Sequence, residues 1–258
     1  SLLWETVSNG LPRFDGTFFS WSMRNVIGAG GGAIHALYGT LIITGIATLI
    51  AVPIGLMTAI YLVEYGRGAL ANAITFFVDV MTGIPSIVAG LFAYALMAIV
   101  FGPGTVNGFA GAMALSVLMI PIVVRATEEL LRLVPNELRE ASYALGVPKW
   151  RTILAVVLPT SLSGIVSGVI LAIARIIGET APLMIAAGFT NSINTNPFAN
   201  PMMTLPVFVY DQYAHPGIER EFYNERAWAG AMTLIVLVMV LNLIGRFIAK
   251  RFAPKSGR

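Results

Sequence analysis

The chain has 258 residues, of which 57% are hydrophobic and only 11% charged. Soluble domains carry roughly 25% charged residues, so the composition excludes a soluble globular domain and defines an integral membrane protein. Cysteine is absent, which excludes disulfides and thiolate metal sites, and a net charge of +3 matters less than where the charges lie.

Residues 1–38 read as an external, glycine-rich N-terminal segment. The run Gly28–Gly32 is not followed by the Gly-Lys-Ser/Thr of a phosphate-binding loop, so it reads as a flexible entry to a helix. His35 stands alone and reads as a solvated or hydrogen-bonded interfacial residue. The segment carries no signal-peptide pattern. From 39 to 250 the chain reads as one transmembrane domain. The first span, about 39–63, is long enough to cross a bilayer and tolerates Pro53 because neighbouring helices can satisfy the freed backbone groups. Ala69 to Phe101 is too long for one upright crossing. An entry segment to Asp79 is therefore predicted, then a break at Gly83-Ile84-Pro85-Ser86 and a span over about 83–101. Further spans are predicted at about 106–124, 160–188 and 228–248. A charged loop at 125–159, a polar loop at 189–227 and a basic tail at 251–258 complete the chain. Met202 to Tyr210 is too short to span and reads as a segment resting in the interface. The loop charges, Arg226 among them, read as a solvated face.

Lys and Arg in short loops set orientation. Arg67, the loop residues Arg125, Arg132, Arg139, Lys149 and Arg151, and the tail's Arg246, Lys250, Arg251, Lys255 and Arg258 share one side. Arg13, Arg24, Arg220 and Arg226 are on the other. The charged loop and the C-terminus are therefore expected in the cytoplasm, and 1–38 and 189–227 outside.

Two places carry function. The first runs Glu140-Ala141-Ser142, three residues, Gly146, nine residues, then Val156-Val157-Leu158-Pro159. It reads as a short helix, a turn at Gly146 and a second helix primed by Pro148. This pattern resembles the EAA loop of ABC importer permeases, with Ser142 in place of the second Ala and Val156 in place of Ile. The resemblance implies an all-α, polytopic fold with a five-helix type I ABC importer permease core and a short cytoplasmic coupling helix. The family's additional N-terminal helix is expected to be absent from this chain. It also implies that Glu140, Ala141, Ser142, Gly146 and Pro148 dock a separate ATPase.

The second place is Arg175, Glu179 and Thr180 in the fourth span. An arginine at mid-membrane costs about 2.5–3.5 kcal/mol on insertion scales, so a compensating role is expected. Four residues apart on one helix, Arg175 and Glu179 share a face and are expected to pair. Arg175 then reads as the planar fork for an oxyanion, with Glu179 holding it when the site is empty. The bland alternative is an ion pair that only registers helices. Asp79 and Ser86 are further pathway candidates, although Asp79 fits the headgroup level better.

The stretch Gly178-Glu179-Thr180-Ala181-Pro182-Leu183 after Arg175, with Gly83–Gly90 and Thr204-Leu205-Pro206-Val207, is similar to the PstA family of phosphate-importer permeases. That resemblance implies a non-enzymatic subunit moving inorganic phosphate by alternating access in the bacterial inner membrane. The implied partners are a PstC-like permease, a PstB-like ATPase dimer, a PstS-like phosphate-binding protein, phosphate and membrane lipid, with no nucleic acid. It implies no cofactor on this chain, ATP and Mg belonging to the ATPase. Two other readings stay open: a permease for sulfate, molybdate or another oxyanion, and a non-transporting membrane sensor or scaffold docked to an ATPase.

Overall fold

The computed structural model describes residues 2–252. The tail residues Lys255 and Arg258, counted above in the charge asymmetry, lie outside the described residues. The helices, in chain order, are α1 (Leu2–Gly10), α2 (Gly16–Ser20), α3 (Ile34–Ile60), α4 (Gly68–Thr82), α5 (Ser86–Phe101) and α6 (Gly108–Arg132). They continue with α7 (Asn136–Ala144), α8 (Lys149–Thr152), α9 (Leu158–Ile177), α10 (Ala181–Ala186), α11 (Leu205–Ala214) and α12 (Arg220–Phe252). A π-helical turn at Tyr61–Tyr65 extends α3, and another at Ile153–Val157 joins α8 to α9. Four of the described helical stretches are long and apolar enough to cross a membrane, or five if α4 and α5 form one broken span.

The chain forms two compact units. The first is drawn from residues 2–48, Ile84–Val117 and Arg175–Met239. Its small residues set the packing. Ala93, Met97, Ala110, Ala114 and Ala186 form a buried cluster. A Cβ added to Gly90 on α5 would lie 2.6 Å from the Cα of Pro182 on α10, so glycine lets these backbones meet. The segment from Met202 to Phe208, expected at the interface, is instead buried. The hydroxyl of Thr40 accepts the Leu205 amide at 2.8 Å, which satisfies one of the free donors at the start of α11.

Two further expectations give way in this unit. His35 is buried rather than solvated, its edge against Phe208 with ring centroids 5.6 Å apart, and neither ring nitrogen has a hydrogen-bond partner among the described residues. Arg226 is only 1% exposed. Its Nε donates to Gln212 Oε1 at 2.7 Å and one terminal nitrogen donates to the carbonyls of Gly28 and Gly30 at 2.7 and 3.0 Å. Its guanidinium lies 4.4 Å from the Tyr223 ring centre. Gly28 and Gly30 take φ of 79° and 93°, which turns their carbonyls to a place that residues with a Cβ rarely reach. The glycine run is thus an arginine cradle rather than a loose hinge.

The second unit is drawn from Leu49–Gly83, Leu118–Ala174 and residues 240–252. Its core contains Ala59, Leu62, Val78, Val124, Leu131, Val134, Val157 and Ile165. The turn at Tyr61–Tyr65 carries Glu64 into the interior of this unit. A chain of charges runs from Asp79 through Arg125 to Glu128 and Arg132, with Arg125–Glu128 at 2.8 Å and Glu128–Arg132 at 2.7 Å.

Candidate functional site: an exposed turn and a broken helix

In the second unit, α7 ends at Ala144 because Gly146 takes φ of 76°. The Val147 amide donates to the Ser142 carbonyl at 3.2 Å and the Gly146 amide donates to the Tyr143 carbonyl at 2.9 Å. This pair of bonds defines a Schellman ending, which closes the carbonyls a helix leaves free. Pro148 then precedes α8, and its carbonyl accepts the amides of Arg151 and Thr152, both at 3.0 Å.

The turn has an inner and an outer face. Ser142 is buried, its hydroxyl 2.8 Å from that of Thr152, so it ties the two short helices together rather than facing a partner. Glu140, Ala141, Gly146 and Pro148 are exposed. Beside them Leu145 is 83% and Trp150 59% exposed. Apolar side chains standing out from so polar a segment mark a surface for protein contact.

What positions the turn was not singled out from sequence. Arg139, at 12% side-chain exposure, donates to Glu64 Oε1 from Nε at 3.1 Å and from a terminal nitrogen at 2.9 Å. It also donates to the carbonyls of Val134 at 2.7 Å and Leu131 at 3.0 Å. Lys149 donates to the Glu64 carbonyl, and its ammonium lies 5.0 Å from the Tyr65 ring centre. One residue at the end of α3 therefore clasps both sides of the turn. A carboxylate at the edge of an apolar span is visible in the sequence; a partner 75 residues away is not.

In the first unit, the predicted Arg175–Glu179 pair is overturned. The helix does not continue through the two residues. α9 ends at Ile177, Gly178 breaks it, and the amides of Gly178 and Glu179 fold back to the carbonyls of Arg175 and Ile176 at 3.4 and 3.1 Å. Four residues apart no longer means one face. Among the described residues neither side chain has a hydrogen bond or ion pair. Arg175 is exposed and Glu179 half-buried. Thr180 restarts the helix, its carbonyl accepting the amides of Leu183 at 3.1 Å and Met184 at 3.0 Å. Ser86 opens α5, the helix against which α10 packs, and is half-buried. Asp79 belongs to the second unit, where Arg125 engages it.

A helical membrane protein with an exposed helix–turn–helix and a charged turn at the end of a span has the make-up of a membrane component that works through partners. Residues 51–257 match the model of the family described as "Binding-protein-dependent transport system inner membrane component", and the chain belongs to that family. It is 49% identical to phosphate transport system permease protein PstA 1 of Mycobacterium tuberculosis, over 97% of this chain and 83% of that protein. It is 41% identical to phosphate transport system permease protein PstA of Yersinia pestis, over 99% of this chain and 84% of that protein.

Solved structures agree on the fold. The inward-facing MetNI methionine ABC transporter superposes with a TM-score of 0.69 at 21% identity, covering 86% of this chain and 96% of that one. A bacterial alginate ABC transporter in complex with a periplasmic protein gives 0.64 at 14% identity, over 87% and 80%. The chain is thus a type I ABC importer permease subunit, a multi-pass inner-membrane protein. It is a translocation component rather than an enzyme, the inner membrane part of a binding-protein-dependent transport system.

Proposed function

We propose that the chain is the PstA-type subunit of a phosphate importer and moves inorganic phosphate into the bacterial cytoplasm by alternating access. The similarity to named phosphate permeases over nearly the whole chain carries this reading. A PstS-like protein delivers phosphate to the outer side of a heterodimer formed with a PstC-like permease. A PstB-like ATPase dimer, holding ATP and Mg, engages the exposed face of the turn through Glu140, Ala141, Gly146 and Pro148. The turn and the C-terminus then lie on the cytoplasmic side, as the distribution of Lys and Arg favours. ATP-driven movement of the turn opens the spans outward. Phosphate then meets Arg175, whose guanidinium is exposed and has no partner in the described chain. Glu179 and Thr180, on the same break, complete this chain's share of the path. This chain supplies no cofactor.

The deciding experiment is ATP-driven phosphate uptake into vesicles holding the whole complex, with Arg175 intact and as Arg175→Gln, and with ATPase activity recorded alongside. Collapse of uptake while the assembled complex still hydrolyses ATP supports the path. Unchanged uptake removes Arg175 from it. Sulfate or molybdate outcompeting phosphate at equal concentration would overturn the substrate.

A further inference from the structure

The second unit contains a cavity of about 460 Å³ that the proposed transport path does not use. Four cations line it: Arg67, Arg132, Arg139 and Lys149. The carboxylate among the lining residues, Glu64, is already committed to Arg139. Arg67 is exposed at the start of α4 and has no hydrogen-bond or ion-pair partner among the described residues. Arg132 reaches Glu128 with one nitrogen but leaves its side chain 64% exposed. The lining therefore holds more positive charge than the chain itself neutralises. Its donors also suit a phosphoryl oxyanion: guanidinium forks beside an ammonium.

Position narrows the source of that oxyanion. The cavity lies where two candidate spans end, at Tyr61–Tyr65 after α3 and at Arg132 closing α6. The ends of apolar spans meet the headgroup layer, where lipid phosphates reside. Tyr65, at this level, is 45% exposed, as expected of an aromatic at a membrane interface. We propose that this cavity binds a phosphoryl group carried by an anionic phospholipid headgroup, so that lipid occupies the flank of the docking turn. The site shares Arg139 and Lys149 with the Glu64 clasp. A headgroup held by Arg67 and Arg132 therefore lies directly beside the residues that hold the turn.

The test uses the purified, delipidated complex and native mass spectrometry, titrated with phosphatidylglycerol. The variant is Arg67→Gln with Arg132→Gln, which leaves the Glu64 clasp intact. Removing two cations near a headgroup weakens binding by roughly 25-fold, at about a factor of five each. The control Arg220→Gln, in the first unit, retains full binding. Phosphatidylcholine should not bind, and millimolar inorganic phosphate should not displace phosphatidylglycerol. Equal lipid binding by the double variant and the parent overturns the site. Displacement by inorganic phosphate overturns the lipid as its source. Lost ATPase attachment with unchanged lipid binding assigns the cations to a protein partner and also overturns the proposal.

Discussion

Replacing Arg139 with methionine tests whether the docking turn is held by the clasp at Glu64. Methionine keeps most of the packing volume but removes the guanidinium. The Glu64 side chain, 4% exposed, then keeps its charge without its ion-pair partner, and the carbonyls of Leu131 and Val134 each lose a donor. Breaking a buried pair from one side costs about 3–5 kcal/mol, because the remaining charge stays desolvated. A penalty of that size is relieved locally, by letting Tyr61–Tyr65 and the turn part so that Glu64 reaches water. Opening of the turn thus becomes more frequent by about two to three and a half powers of ten. Hydrogen exchange in the purified complex reads this directly. Amides of Asn136–Thr152 should lose protection while those of Met119 to Val124 keep it. The companion Glu64→Gln/Arg139→Met removes both charges and should recover most of the loss, since a neutral pair has little to desolvate. Unchanged exchange in the single variant, or a double variant worse than the sum of its parts, would refute the clasp.

Other positions give sharper local readouts. At Gly146, φ of 76° lies in open space, so the cost of a side chain is backbone strain of about 1–2 kcal/mol, and more for a β-branched residue. Loss of transport coupled to ATP hydrolysis should rank Gly146→Val above Gly146→Ala, with Gly146→Asn mildest; equal effects would remove the turn geometry from the explanation. Gly90→Ala places a Cβ 2.6 Å from the backbone of Pro182, and overpacking of this kind costs about 1–3 kcal/mol. The complex should melt at a lower temperature, whereas Gly45→Ala, with nothing within 4 Å of its Cβ, should not shift it. Asp15 caps α2 by accepting the Phe18 amide at 2.7 Å. The Thr17 hydroxyl and then that amide hold its pKa below the ordinary 3.8. A depressed carboxylate contributes above its unfolded pKa and loses that contribution as pH falls through the lowered value. Protection of the Phe18 amide should therefore fade only in acid, and Asp15→Asn, which still caps, should flatten that dependence.

The sequence made the helices legible wherever apolar length alone decides them, and the docking turn legible because Gly146 and Pro148 act locally. It failed where a contact joins distant residues. Met202–Phe208 looked like an interfacial segment because its hydrophobicity does not say whether lipid or protein covers it. Thr40, which caps the start of α11, lies far away in the chain. Arg226 looked solvated because a lone arginine in a polar loop usually is. Here three backbone or amide oxygens replace a carboxylate, and nothing in their residue types, Gly28, Gly30 and Gln212, announces it. The Arg175–Glu179 error has a different cause. Their spacing carries meaning only inside a continuous helix, and Gly178 lies between them.

The separation of Arg175 from Glu179 bears directly on function. Arg139 is half-buried and Arg226 buried, and each is held by groups of this chain, Arg139 by Glu64 and two carbonyls and Arg226 by Gln212 and two carbonyls. Such residues hold structure, and their removal should be felt as lost order. Arg175 and Glu179 are not answered in this way. Had they paired with each other, the cost of placing charge in a span would have been largely met internally, and a purely structural clasp would have sufficed. Without a partner among the described residues, they leave that cost to be met by a partner subunit, by water or by a passing oxyanion. Charge neutralised at home and charge left open make opposite predictions for substitution. Arg139→Met should disorder the turn even with no substrate present. Arg175→Gln should leave exchange protection intact and change only what the assembled transporter carries.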